Sequence, residues 1–348
     1  MTSLSEGRPL RVGACLSLSG RYSPFGVQAA QGLAAWSELD GHAELTVEDD
    51  ASSPDRLIAC LRSLTRRCDL VLGPYSTQLM RAAASVAAEL DVVIWNHGGS
   101  GDDVEASCPG RVVSILTPTS RYGKPFLEHL SREEAPAVLW LAEGRGSFGR
   151  QVAAGAERMA NNLGLRTLRL GASDALPADP AAEEWDLLCA GLFEEDVSRV
   201  ERVHSLDRPP RRVAAVAAGV QRFGEVVARS EGVFGIAQWF PGSSTQPVDL
   251  GPSERDFLSA FTRLTGRMPD YPAVQAAAGA VIGTHCARVA GALSCRSLWQ
   301  VAAPLEAATL FGPFRIDPVT GVQLGHETVL VQWTPEGLVP AGSSGDPL

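Results

Sequence analysis

The sequence predicts an α/β protein made of two lobes in succession, each built on a parallel sheet flanked by helices. Short apolar runs of strand length alternate with longer amphipathic runs of helical period from residue 10 to residue 116. After "TPTSRYG" (117–123) the same rhythm restarts and continues to about residue 240. Beyond that point helix-like segments follow one another, and the chain closes with strand-like runs around a turn.

In order, "LRVGACLSL" (10–18) reads as a strand and "GVQAAQGLAAWSEL" (26–39) as its helix. "AELTVEDD" (43–50) precedes "PDRLIACLRSLTRRC" (54–68), where Pro54 suits a first helical turn. "DLVLG" (69–73) leads into "STQLMRAAASVAAEL" (76–90), "DVVIW" (91–95) into a glycine-rich loop, and "VVSIL" (112–116) ends the first set. The second set runs "AVLWLAE" (137–143) with its helix, "RTLRLGA" (166–172), "DLLCAGLF" (186–193) with "DVSRVERVHSL" (196–206), and "RVAAVAA" (212–218) with "QRFGEVVARS" (221–230). "VFGIAQWF" (233–240) follows, and then the helices "SERDFLSAFTRLTG", "YPAVQAAAGAVIGTHCARVAGAL" and "SLWQVAAPLEAA". "FGPFRIDPVTGVQLGHETVLVQW" (311–333) reads as a β-hairpin turning at Pro318 to Gly321, and the last residues as a frayed tail.

With 348 residues, 45% of them hydrophobic, the chain is long enough for two cores. A net charge of −10, with its charges dispersed, offers nothing to a polyanion, so no nucleic-acid partner is expected. No apolar run approaches the roughly 18 residues of a membrane span, so no membrane insertion is expected. Val12-Gly13-Ala14-Cys15 is like the small-residue box before a lipidated cysteine, but Pro9 and Arg11 interrupt any apolar leader. The chain as written therefore reads as cytoplasmic, and as periplasmic or extracellular if a leader preceded it. The seven cysteines, an odd number without C-x-x-C spacing, predict buried free thiols, no metal site and a reducing compartment.

Gly144, Gly146 and Gly149 spell G-x-G-x-x-G between a strand-like and a helix-like run, the pattern of a loop around a dinucleotide pyrophosphate. The loop follows the sixth strand-like segment rather than the first of its unit, and Glu143 would set a negative charge beside the phosphates. Asp174 ends the next strand, so spacing alone leaves an NAD(P)-dependent oxidoreductase open as an alternative. Asp49-Asp50 is a carboxylate pair, but capping the helix at Pro54 is the commoner use of such residues. There is no G-x-S-x-G, H-E-x-x-H or Walker loop. No catalytic residue, cofactor or enzyme activity is expected.

Six ordered segments carry a resemblance: "VGACLSLSGRYSPFGVQAAQGLAAW", "VEDDASSPDRL", "LVLGPYSTQLMRAAASVAAEL", "VIWNHGGSGDD", "GSFGRQVAAGAERMANNLG" and "FGPFRIDPVTG" with "LVQW". Over about residues 9 to 335 the chain resembles the type I periplasmic binding proteins, and within them the leucine/isoleucine/valine-binding branch with its amide and urea receptors. The resemblance implies two doubly wound lobes, joined by three crossovers, that close on a small polar ligand such as an amino acid, amide or urea. It implies an ABC permease as partner or, in a cytosolic sensor, a regulator protein. The first lobe is expected to hold 8–118 with 241–310 and the second 119–240 with 311–335, leaving 336–348 as tail. The crossings fall near Thr117 to Ser120, Gln238 to Pro241 and Thr309 to Gly312.

Ligands of open α/β sheets sit beyond the carboxyl ends of the strands. Here those ends carry "SLSGRYSPFG", "GPYSTQ", "WNHGGSGDD", "EGRGSFG" and "GLFEED". Ser76-Thr77 and Gly99-Ser100 offer hydroxyls and free backbone N–H groups for a carboxylate or amide oxygen, although capping alone accounts for the first pair. The resemblance assigns ligand contacts to the loops holding Tyr75, Ser76, Gly98, Gly99 and Ser100, and to second-lobe aromatics at Phe148 and near Phe193. Thr77, Asn96 and His97 complete the candidate set, His97 as base, ligand contact or hydrogen-bonded loop residue. Phe148 stands where many amino-acid binders carry Tyr, and "AAGVQ" (217–221) where they carry an ammonium-holding acid. Ser52 and Tyr75 replace the cysteines of the branched-chain binders' first-lobe disulfide. Asp102, Asp103, Glu143 or Glu194 could supply a carboxylate in place of that acid.

Overall fold

The computed structural model describes residues 8–176, 184–244 and 246–341. The chain divides into two compact units: one runs to Thr117 and resumes over Ser244–His326, and the other comprises Pro118–Ser243 and the segment from Glu327 onward.

The first unit alternates β1 (Leu10–Leu16), α1 (Ser23–Asp40), β2 (Ala43–Asp49), α2 (Pro54–Arg67), β3 (Leu70–Leu72), α3 (Thr77–Leu90), β4 (Ile94–Asn96) and β5 (Val112–Ser114). These strands form one parallel sheet in the order β2-β1-β3-β4-β5. The apolar faces of α2 and α3 bury Leu57, Leu61, Leu64, Leu79, Met80 and Ala83 against Cys15, Val71 and Ile94. The α1 helix packs instead with two helices from the later segment, which themselves lie in this unit.

The second unit holds α4 (Lys124–Ser131), β6 (Val138–Glu143), α5 (Gly146–Asn162), β7 (Thr167–Leu170), β8 (Trp185–Ala190), α6 (Phe193–Val203), β9 (Val213–Ala215), α7 (Arg222–Val226) and β10 (Phe234–Ala237). The chain then returns to the first unit for α8 (Glu254–Thr265), α9 (Tyr271–Ala290), α10 (Cys295–Ala302), β11 (Ala307–Thr309) and β12 (Gly312–Phe314). It ends in the second unit with β13 (Val329–Thr334) and β14 (Gly337–Pro340). The second sheet runs β14-β13-β10-β9-β8-β6-β7, with β6 through β10 parallel and β13 and β14 antiparallel at one edge. Separate apolar clusters cover it, one around Phe223 and Trp333 and the other around Phe126, Val152 and Ile236.

Local sequence explains the ends of these elements. Ser76, Ser253 and Ser294 cap α3, α8 and α10 with their hydroxyls, and Gly41, Gly266 and Gly291 end α1, α8 and α9 in the left-handed conformation. The α9 helix is Ala- and Gly-rich and buried almost all round, because it lies between β3 and β4 on one side and α1 on the other. At Gly32 a Cβ would fall 2.1 Å from the Ala273 carbonyl oxygen, so α1 and α9 touch backbone to backbone.

Three expectations need correction. The late hairpin exists only as a turn: Ile316 bridges Gln323, but β12 pairs with β11 while β13 pairs with β10 in the other unit. Residues 311–326 accordingly belong with the first unit and not the second. Ser114 donates its N–H to the Gly321 carbonyl and the Gln323 amide binds the Ile115 carbonyl, which ties this segment to the end of β5. The crossings therefore lie after Thr117, Ser243 and His326, and the expected one near Thr309 to Gly312 is internal to the first unit. The expected tail is in part a strand, since Gly337–Pro340 pairs with Thr334–Val331; its last residues, from 342, lie outside the described residues. The first seven residues, part of the stretch weighed as a leader, lie outside them too.

Candidate functional site

In the first sheet the strand order reverses at β1, whose neighbours β2 and β3 both follow it in sequence. Loops leave β1 and β3 at this point, the place where open α/β sheets bind their ligands. Aromatic side chains meet beyond these strands. Phe25, in the first turn of α1, stacks on Tyr75 with ring centroids 4.6 Å apart and planes 2° from parallel. The Tyr75 hydroxyl lies 3.0 Å from that of Tyr271, the first residue of α9. Phe25 and Tyr271 escaped the sequence reading because each looks like an ordinary helix-start residue far from Tyr75 in the chain.

The loop after β3 is strained. Ser76 takes φ +100°, a value that L side chains adopt only when the surroundings hold them there. Its N–H donates to the Gly98 carbonyl at 3.0 Å, and its hydroxyl accepts the Leu79 N–H at 3.3 Å. Thr77 reaches the same loop from the other side, its hydroxyl oxygen accepting the Gly101 N–H at 3.0 Å. A Cβ on Gly98 would fall 2.6 Å from the Tyr75 Cα, so the glycine is needed for the two loops to dock.

Asn96 organises the second of these loops. Its Oδ1 accepts the N–H groups of Gly98 (3.2 Å) and Gly99 (2.9 Å), and its Nδ2 donates to the Gly99 carbonyl (2.7 Å) and the Ser114 hydroxyl (2.6 Å). Of the N–H groups expected to be free, those of Ser76 and Gly99 are engaged within the protein, as are those of their neighbours Gly98 and Gly101. What this edge presents is a pre-shaped pair of loops carrying Thr77 and Ser100, both nearly buried, with the first turn of α3 behind them.

His97 turns the other way. It is fully buried against Gly279 of α9, and neither ring nitrogen makes a hydrogen bond. Burial lowers its pKa to about 4, so the ring is neutral at physiological pH. The Gln275 Oε1 and Trp95 Nε1 atoms, also facing the α9 packing region, are likewise buried without partners.

Asp49 and Asp50 are loop organisers. Asp49 accepts from the N–H groups of Leu18, Ser19 and Ala51 and from the Ser19 hydroxyl, and Asp50 from the Ser17 hydroxyl and the Ser52 N–H. Ser52, at a position of the disulfide implied by the resemblance, joins the same loops by hydrogen bonds to Tyr22 and Ser19. All seven cysteines are free, four of them buried and Cys60, Cys68 and Cys108 partly so.

In the second unit, Phe148 lies in the first turn of α5 and meets Tyr122 edge-on at 5.8 Å, while Phe193 opens α6 beneath the Arg222 guanidinium at 5.3 Å. The carboxylates of this edge are already committed. Glu195 accepts the N–H groups of Arg145 and Leu192, Asp196 those of Gly191 and Ala217, and Glu143 pairs with Arg169. Arg199 binds the carbonyls of Ala142, Glu143 and Ala172. The glycine loop is explained by the same packing: Cβ atoms on Gly144 and Gly149 would fall 2.3 Å from the Gly191 Cα and 2.6 Å from the Ala190 oxygen. Glu195 occupies the Arg145 amide of this loop, and Asp174 closes its own turn on the Gly171 N–H.

One chain that passes three times between two doubly wound α/β units has the architecture of a type I periplasmic binding protein, a two-lobed class. Residues 9–182 match the family model described as periplasmic binding protein, and the chain belongs to that family. Among solved structures it is similar to the leucine binding protein LivK of Thermotoga maritima, with 13% identity, a TM-score of 0.78 and coverage of 96% of this chain and 98% of that one. LivJ of Streptococcus pneumoniae, solved with isoleucine, gives 14% identity and a TM-score of 0.74 over 94% and 96%. A solute binding protein of an ABC transporter from Rhodopseudomonas palustris, solved with p-hydroxybenzoic acid, gives 14% and 0.77 over 95% of each chain. At these identities the likeness is one of fold. No helix among the described residues is long and apolar enough to cross a membrane.

Proposed function

We propose that this protein binds a small solute carrying a carboxylate or amide group at the carboxyl edge of its first sheet, and that it serves an ABC transporter as the binding component. The observation that carries the reading is the docking of two loops around the start of α3, with Ser76 held in a strained conformation between the Leu79 and Gly98 backbones. A helix start favours a negative or electron-rich oxygen, and Thr77 and Ser100 supply hydroxyls beside it. The Phe25–Tyr75 stack adds a flat apolar surface for the body of the solute. Leucine, isoleucine and p-hydroxybenzoic acid, the solutes named for similar folds, combine these two features.

The protein is read as a binding protein and not an enzyme, and the Gly144–Gly149 loop as packing and not a nucleotide cradle. The unpaired thiols favour a second reading, a sensor of the same kind of ligand that acts on a regulator inside the cell. A thermal-shift screen with leucine, isoleucine, p-hydroxybenzoate, short amides and urea tests the ligand class. A ligand at 100 times its Kd adds about 2.7 kcal/mol to stability, a shift that is easily read. Stabilisation by NAD(H) alone would overturn the assignment.

A further inference from the structure

Behind the Asn96 loop lies a buried acid that neither the sequence reading nor the family likeness singled out. Glu105, in the turn between β4 and β5, is 4% exposed. It accepts a hydrogen bond from the Ser114 hydroxyl, which in turn accepts one from the Asn96 amide at 2.6 Å. We propose that Glu105 is a positioning residue for the ligand loop, acting through Ser114 and Asn96 on the backbone of Gly98 and Gly99. This rests on the reading of that loop as ligand-bearing.

The direction of every hydrogen bond in the relay is fixed by donor count. Both Asn96 amide hydrogens are used, on the Gly99 carbonyl and on Ser114, and its oxygen takes the Gly98 and Gly99 N–H groups. Ser114 therefore receives from Asn96 and passes its own hydrogen to Glu105. A carboxylate completes that order with a charge-assisted acceptor. A protonated Glu105 has a hydrogen of its own to place, and when it donates to Ser114 it competes with Asn96 and leaves the serine hydrogen without its acceptor. Proton uptake by Glu105 thus loosens the end of the relay that holds the Gly98 and Gly99 amides.

The groups facing Glu105 permit this to happen near neutrality. β4 and β5 present neutral Asn96 and Ser114, and the charged neighbour acting on it is Asp102 of its own loop. Burial, which outweighs the hydrogen bonds, lifts its pKa to about 7, and Asp102 pushes the same way.

The test needs no ligand at first. In the free protein labelled with 15N-glycine, the Gly98 and Gly99 amide signals should move with one inflection between pH 5.5 and 8.5, and the inflection should vanish in Glu105→Gln. Ser114→Ala, a second variant in case the first fails to fold, should uncouple the amides while leaving Glu105 in place. Flat amides in the wild type, or an inflection that survives both substitutions, would overturn the proposal. Calorimetry with leucine and p-hydroxybenzoate then reads the consequence. The probe that binds should do so about fivefold or more tightly at pH 8.5 than at pH 5.5, a coupling of ordinary size, and Glu105→Gln should flatten the difference. A pH-independent Kd in the wild type would overturn Glu105 as a positioning residue for ligand. If the amides titrate and neither probe binds, the relay stands and the ligand class assigned above is what fails.

Discussion

Asn96 shows how one side chain converts a polar loop into a fixed surface. All four of its hydrogen-bonding positions are filled within the chain, two by glycine N–H groups that would otherwise need solvent or ligand. Asn96→Ala should lower unfolding stability by more than about 2 kcal/mol in urea titrations, since two buried donors lose their acceptor at about 1–3 kcal/mol each. Ser100→Ala should weaken the solute by about 1–3 kcal/mol in calorimetry; an unaltered Kd would remove Ser100 from the site. His97 belongs to the core side of the same loop and carries a pH effect of definite sign. Its pKa is about 4 when folded, below the ordinary value of 6.5, so between these the unfolded chain binds the extra proton. Stability from this residue is full above pH 6.5 and is lost as pH falls toward 4. His97→Leu should flatten that part of the stability curve, and an unchanged slope would contradict the burial assigned to the ring. The sequence placed Tyr75 to Thr77 and Asn96 to Ser100 in two strand-end loops, because strand ends and helix starts are local signals. It did not disclose Glu105, Phe25 or Tyr271, whose roles depend on partners brought in by sheet pairing and by α9.

Elements were legible where the pattern is local and illegible where it depends on which sheet a strand joins. The parallel strands and their helices follow from alternating apolar runs, and the turn expected at Pro318 to Gly321 is present, closed by the Gly321 N–H on the Asp317 carbonyl. An antiparallel return around a turn reads as a hairpin, yet the arms separate, one pairing with β11 and the other with β10. The glycine loop shows the same limit. Of three glycines at nucleotide-binding spacing, Gly144 and Gly149 are required here by the close approach of the β6 and β8 ends, and only the structure reveals the Ala190–Gly191 backbone that fills the space. Gly144→Ala should therefore destabilise the fold by about 1–3 kcal/mol through overpacking, whereas Gly146→Ala, at φ +79° with nothing within 4 Å of its missing Cβ, should cost only about 1 kcal/mol of backbone strain. Equal effects in thermal melts would contradict the packing explanation.

On the scale of the whole molecule, two α/β units share one chain that crosses between them after Thr117, Ser243 and His326, and that connectivity places it among the periplasmic binding proteins. The binding reading then rests on the first unit, where the strand order reverses and two loops, one strained at Ser76, dock around the start of α3. The most direct test is calorimetric titration of the intact protein with leucine, isoleucine and p-hydroxybenzoate, alongside NAD(H), repeated on Ser100→Ala. The account predicts saturable one-to-one binding of at least one of the three carboxylates, weakened by the substitution, and no binding of the nucleotide. Binding of NAD(H) with none of the carboxylates, or carboxylate binding that Ser100→Ala leaves untouched, would contradict it.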